Sequence, residues 1–246
     1  MFLPALCHWT DLPMLARWIP AAINTRPTEW SRAAIGMSLG TLLSVWVCAQ
    51  VFGMQVALHL IGPLGASAVL LFAVASGALA QPWSIIGGYL CATLVALLVA
   101  HLLGRNLGSA CLAAGLGLLL MCWLRCLHPP AGALALLMVL ADPATIALDW
   151  KALGSVMLGA STMLLFALAY NNLTRVHYPK RAAEPVPEVL RTPIDSQAIN
   201  AEDLKAALAD LEAFFDVTPE DLEQLIHASE RHAKRRSIGE VLSRSV

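Results

Sequence analysis

The sequence is short of charge. Only 13% of its 246 residues are Asp, Glu, Lys or Arg, against 58% hydrophobic, and the mean hydropathy is +0.66. A soluble domain carries about 25% charge, so this chain is neither a water-soluble enzyme nor an ordinary nucleic-acid binder. The shortage is local: no charged residue stands between Ala33 and Gly104, and only Arg105, Arg125, Asp142, Asp149 and Lys151 follow before Leu173 ends. A disulfide framework is missing too. Cys7, Cys48, Cys91, Cys111, Cys122 and Cys126 fall in apolar runs without paired spacing, which excludes a secreted disulfide scaffold and leaves them as small hydrophobes. Cys122, Cys126 and His128 stand close in sequence, but no second ligand cluster accompanies them, so no metal and no cofactor is expected. A secretory signal is also wanting, since Pro4, Pro13 and Pro20 interrupt the opening segment.

What remains is a lipid-soluble body with a water-soluble tail: residues 175–246 hold 13 acidic and 10 basic side chains. Trp9, Trp18, Trp30, Arg17, Arg26 and Arg32 make residues 1–30 an interfacial segment lying on the bilayer. Residues 31–175 read as the transmembrane domain. A crossing helix needs about 20 apolar residues, and the runs 33–54, 84–103, 109–127 and 152–173 supply them. Two shorter runs, 62–79 and 129–141, open on Gly62-Pro63 and Pro129-Pro130, and proline suits a first helical turn but not a helix interior. Six crossings or four, the count is even, and both chain ends lie on one side. Arg17, Arg26 and Arg32 before the first run, with Arg175, Lys180 and Arg181 after the last, place that side in the cytoplasm of a bacterial inner membrane.

The apolar halves, about 33–103 and 109–173, repeat each other. Pro63-Leu64-Gly65-Ala66-Ser67-Ala68 and Pro130-Ala131-Gly132-Ala133-Leu134-Ala135 share P-x-G-A-x-A, and at the same offset Trp83 meets Trp150 and Gly87 meets Gly154. Three helical segments per half is an odd number, so the halves sit upside down relative to each other. The fold class is therefore an all-α membrane protein: two inverted three-helix repeats with two short half-helices, plus a small helical cytoplasmic tail. Interrupted helices in an inverted repeat point to a transporter's substrate site. A helix start carries unsatisfied N–H groups and a partial positive charge, so two starts converging at the midplane would form an anion site. Its expected members are Gly65, Ala66, Ser67 and Ala68 from one start and Pro130, Ala131, Gly132 and Ala133 from the other. Arg125 would be the attracting charge, and His128 the gate or proton-linked group. Small residues there also permit plain close helix packing. Gly36, Gly40, Gly154, Ser155 and Gly159 either pack the halves together or form a homodimer. No nucleophile–base spacing suggests an enzyme.

Leu127-His128-Pro129-Pro130-Ala131-Gly132-Ala133 resembles the signature of the HPP family of integral membrane proteins. The resemblance extends to Ile61 through Leu71, to Leu79 through Gly88, and on to Tyr170-Asn171-Asn172-Leu173. It implies a compact helical membrane domain, with nitrite transport ascribed to members in photosynthetic organisms. The tail resembles a longer bacterial form. Residues 176–199 are a proline-rich linker, and 200–246 a helical cytoplasmic segment whose ending, from Ser237, looks like the opening of a nucleotide-sensing CBS module. No room remains for that module, so the chain reads as shortened before its sensor or as one whose sensor is a separate polypeptide. The expected function is transport of a small inorganic anion, nitrite first, with the bilayer as partner and no nucleic acid. The alternative is a non-transporting membrane sensor coupled to a CBS module.

Overall fold

The computed structural model describes residues 27–180, and every regular element among them is helical. The interfacial segment before Pro27, the linker beyond Lys180 and the helical tail with its CBS-like ending lie outside the described residues.

Helix α1 (Pro27–Phe52) begins six residues before the expected Ala33. Proline suits the first position, and Glu29 in the first turn complements the positive helix end. Arg32 is satisfied rather than left in lipid. Its Nε meets Glu29 at 2.7 Å, and its terminal nitrogens donate to Asn171 Oδ1 and the Phe72 carbonyl, each at 2.9 Å. Gly53, at φ 88°, then breaks the helix, and α2 (Met54–His59) follows. Leu60 alone separates α2 from α3 (Ile61–Ala73). Pro63 explains the break: it has no N–H to give the His59 carbonyl, and its ring crowds that carbonyl.

The run expected to reach residue 79 ends instead at Ala73, and a 3-10 turn at Ala78–Ala80 follows. Gln81 Nε2 pins this turn through the Ala75 and Gly77 carbonyls, and Ser84 Oγ through that of Ala78. Helix α4 (Pro82–Leu103) starts on proline and stops at Gly104, φ 77°. Asn106 caps α5 (Leu107–Trp123) by accepting from the Ser109 amide. Helix α6 (Pro129–Val139) has 11 residues against the 13 of α3. Asp142 caps α7 (Pro143–Leu148), and α8 (Ala152–Leu173) follows a 3-10 turn at Asp149–Lys151.

Hydrogen bonds give the direction of each helix. At one end of the bundle the start of α1 meets the ends of α3 and α8, through Arg32 and through Asn171 Nδ2, which donates to the Leu71 carbonyl. Trp83 Nε1 donates to the Leu124 carbonyl, so α4 starts where α5 ends. Tyr178 Oη, whose burial pushes the phenol's pKa up, donates to the Ala80 carbonyl at the same end. At the other end Arg105 donates to the Met138 and Val139 carbonyls, His59 lies 3.3 Å from Asp142, and His101 lies 2.9 Å from Asp149. Helices α1, α4 and α6 therefore run one way and α3, α5 and α8 the other. The first and last described residues share an end.

Helix α4 packs along α5, and α8 along α1. Gly36 and Gly40 are filled from within the chain: a Cβ on Gly36 would lie 2.6 Å from Phe72 and 2.7 Å from Tyr170, and one on Gly40 3.0 Å from Phe166. Gly159 receives Leu64, and the Ser155 carbonyl accepts from the Cys48 thiol at 3.7 Å. These small residues thus seat the first half against the second. Three stretches, Thr28–Phe52, Pro82–Leu103 and Pro143–Leu173, are long and apolar enough to cross a membrane.

Candidate functional site: a buried hydrogen-bond chain

The two P-x-G-A segments bury the same face. In α3, Pro63, Leu64, Ser67 and Ala68 are buried, Gly65 is half-buried and Ala66 exposed; in α6, Pro130, Ala131, Leu134, Ala135, Gly132 and Ala133 repeat those states position by position. The helices lie side by side and antiparallel. His59, just before α3, donates from Nε2 to the Leu137 carbonyl near the end of α6, while Ser67 within α3 meets His128 at the start of α6. Ser67 lies six residues past the start of α3, so at 1.5 Å per residue the two helix starts are offset by about 9 Å.

Convergence of both starts on one pocket is therefore corrected: the tips pass each other. Few backbone donors are free in either. Pro129 and Pro130 have no N–H, and the Ala131 amide donates to the His128 carbonyl at 2.9 Å. In α3, Pro63 has none, and the Leu64 amide donates to the Leu60 carbonyl at 3.0 Å.

What the fold does assemble is a chain of side chains. His128 Nδ1 lies 2.9 Å from the Leu79 carbonyl, its Nε2 lies 2.7 Å from Ser67 Oγ, and Ser67 Oγ lies 2.7 Å from Tyr89 Oη. Ser67 and His128 are 0% exposed and Tyr89 1%. A carbonyl only accepts, so Nδ1 carries the ring proton. In the neutral ring Nε2 then accepts from Ser67, and Ser67 accepts from Tyr89. The tautomer follows from the partners, and every polar hydrogen in the chain is committed.

Two glycines make room for it. A Cβ on Gly88 would stand 2.7 Å from His128 Cβ and 3.2 Å from the Cys126 carbonyl, and one on Gly87 2.7 Å from Cys126 Cβ. The link between α5 and α6 can lie on α4 only because those positions have no side chain. Cys91 and Cys126 meet there with sulfurs 3.9 Å apart.

Of the residues expected at the site, Ser67 and His128 are joined directly. Ala131 lies against Gly88, and Pro130 and Ala68 are buried beside them. Gly65, Ala66, Gly132 and Ala133 turn away: a Cβ on either glycine meets nothing within 4 Å. Arg125 is exposed in the turn that ends α5, at φ 55°, and does not join His128. Sequence reasoning missed Tyr89, Gly87 and Gly88. Their signal was a Gly-Gly-Tyr on a helix otherwise apolar. It also found no nucleophile–base spacing, yet tertiary contact places the Ser67 hydroxyl on an imidazole nitrogen 61 residues away.

At the rim, Asp142 caps α7 by accepting from the Ala144 and Thr145 amides and the Thr145 hydroxyl. Desolvation raises its pKa, but these bonds and nearby His59 outweigh it and hold the carboxyl below the usual aspartate range. A cleft of about 400 Å³ lined by Asn172, His177, Tyr178, Pro179 and Lys180 lies past the end of α8.

Comparison with known proteins agrees with a membrane domain. A family model described as HPP, transmembrane region, matches residues 22–179. A transmembrane protein of Dictyostelium discoideum is 36% identical over 175 residues, covering 65% of this chain and 59% of its own length. A second from the same organism is 32% identical over 151 residues, covering 60% of this chain and 47% of its own. The chain thus spans about half the length of these relatives. No solved structure matches it.

Proposed function

Because the chain belongs to the HPP transmembrane family, we propose that residues 31–175 move a small inorganic anion, nitrite first, across the bilayer, with His128 as the polar gate. The observation that carries this reading is the Ser67–Tyr89–His128 chain, buried where α3, α4 and α6 meet. Polar groups in the interior of a membrane protein are expensive and mark transport pathways more often than plain structure. The matching burial of the two P-x-G-A segments and the opposed directions of α1 and α5, α3 and α6, and α4 and α8 support an inverted repeat. The packing of α4 on α5 and of α8 on α1 has the same symmetry, Gly87 meeting Cys126 just past α5 and Gly154 meeting Phe52 at the end of α1. We place both chain ends in the cytoplasm of the inner membrane, from the basic residues that flank the body.

The Ser67–His128 contact favours a second reading, a membrane-embedded acyl-transfer enzyme with Ser67 as nucleophile and His128 as base. Against it, Ser67 lies inside α3, where its own amide serves the helix and offers no oxyanion donor. No carboxylate orients the ring, and the hydroxyl is also held by Tyr89. Purified full-length protein in vesicles decides. The transport reading expects nitrite uptake above that of protein-free vesicles, lost in His128→Ala. Vesicles silent to nitrite and other small anions overturn it and leave the membrane sensor. Labelling of Ser67 by a fluorophosphonate would establish the enzyme.

A further inference from the structure

The hydrogen-bond chain has two possible polarities, and only one of them can hold an anion. In the neutral state the Tyr89 hydroxyl donates to Ser67, Ser67 to His128 Nε2, and His128 Nδ1–H to the Leu79 carbonyl. No donor is free and no charge is present. When one proton adds to Nε2, that nitrogen becomes a donor to Ser67 Oγ. The Ser67 hydrogen is then free to turn to Tyr89 Oη, and in that polarity the Tyr89 hydrogen is released from Ser67. The site gains one positive charge and one free O–H.

Among the described residues no carboxylate meets that ring, and the charged residues of the adjoining links, Arg105 and Arg125, are themselves cations. The elements packed on α6 are α3, α4 and α5, and none of the three contains an Asp, Glu, Lys or Arg. Their other titratable groups are His101 at the far end of α4 and the thiols Cys91, Cys111 and Cys122; Cys126 follows α5, paired with Cys91. A lone buried cation without a partner is costly.

From this geometry, and resting on the transport reading above, we infer that the domain takes up one proton and one anion together. His128 holds the proton, and Tyr89 gives the hydrogen bond that positions the anion. The pair crosses without net charge, which suits an interior with no fixed counterion.

The test uses full-length protein in vesicles, with sodium nitrite as probe and protein-free vesicles as baseline. An imposed gradient, alkaline inside, should drive protein-dependent nitrite accumulation approaching about tenfold per unit of pH difference, with matching acidification of the lumen. A potassium diffusion potential of either sign should leave the initial rate unchanged. Tyr89→Phe keeps the Ser67–His128 bond and the packing but removes the freed donor. Nitrite uptake should fall at least about tenfold, while nitrogen-15 spectra, taken against His128→Gln protein, still show the proton of neutral His128 on Nδ1. Uptake indifferent to the pH gradient or steered by the potential would overturn the coupling, a Tyr89→Phe protein as fast as the parent would overturn the anion's placement on Tyr89, and each would leave transport standing. A wild-type protein that moves no nitrite overturns both.

Discussion

The two P-x-G-A segments share a motif, a burial pattern and a helical form, yet they end with different chemistry. Position by position, Pro63 matches Pro130, Gly65 matches Gly132 and Ala66 matches Ala133, in type and in exposure. Gly62 against Pro129 and Leu64 against Ala131 exchange one apolar residue for another, and at two further places the exchange is between polar and apolar. Ser67 stands where the second segment has Leu134, both 0% exposed. His128 stands where the first segment has Ile61. Because the helices pack antiparallel with an offset, the polar residue of one segment meets the polar residue of the other. A duplicated frame thus sets the backbone twice, and two substitutions, one in each copy, set the chemistry once. Shared motif residues are therefore the wrong place to look for the site, and the departures from the repeat are the right one.

The largest expected effect tests the apolar side of this contrast. Leu134→Ala should cost about 2–5 kcal/mol, the range for emptying a fully enclosed leucine site, read as a fall in the melting temperature of detergent-solubilised protein. The fraction that stays folded should transport normally. Ser67→Ala, at the matching position, should cost less, about 1–3 kcal/mol, by leaving Tyr89 Oη and His128 Nε2 short of a buried partner. It should nevertheless abolish proton-linked uptake. If the two variants lose stability and transport in the same proportion, the contrast between frame and chemistry is broken. Gly88→Ala sharpens it, because the added methyl would stand 2.7 Å from His128 Cβ. Overpacking of about 1–3 kcal/mol should come with loss of uptake, since the ring must move to make room.

A smaller effect is expected at the rim, where the two halves also differ. Asp142 caps α7, whereas Gly53 opens α2 with no side-chain cap. Asp142→Ala should cost about 1 kcal/mol. The carboxyl's pKa is lowered by folding, so its contribution is present above the ordinary aspartate value of about 3.9 and is lost as pH falls through the lowered one. Melting of the variant should accordingly trail the parent at pH 7 and converge with it in strong acid.

Most of the frame was legible in the sequence because it rests on local signals. Proline marked the breaks at which α4 and α6 begin, and apolar runs gave α5 and α8 to within a few residues, while α7 had no counterpart among the expected runs. The interruption before α3 was legible from Pro63. The start of α1 was not, because Arg32 looked like a solvated flank, while Asn171 and the Phe72 carbonyl, distant in sequence, make it part of the bundle. The site was half legible for the same reason. His128 and Ser67 stood out as polar residues beside proline breaks, whereas Gly87-Gly88-Tyr89 marks a close approach without saying that the α5–α6 link is what approaches. The convergent helix tips failed on a point the motif could not carry: inversion fixes direction, not the axial offset of two antiparallel helices.

The smallest effect is expected where the motif itself is strongest. Gly65 and Gly132 are the residues most easily taken for close approach of a ligand to backbone, yet a Cβ on either meets nothing within 4 Å, and each is followed by an exposed alanine. Leucine at either position points away from Ser67, Tyr89 and His128. Gly65→Leu and Gly132→Leu should therefore stay within about 0.5 kcal/mol of the parent, as outward-facing substitutions usually do, or gain slightly from better helix propensity. Nitrite uptake and its proton coupling should be unchanged. Loss of uptake in a well-folded Gly132→Leu protein would place the anion's path along the outer face of α6, which a second copy of the chain would then have to enclose. The buried chain would be left as a pH-sensitive clasp between α3 and α6.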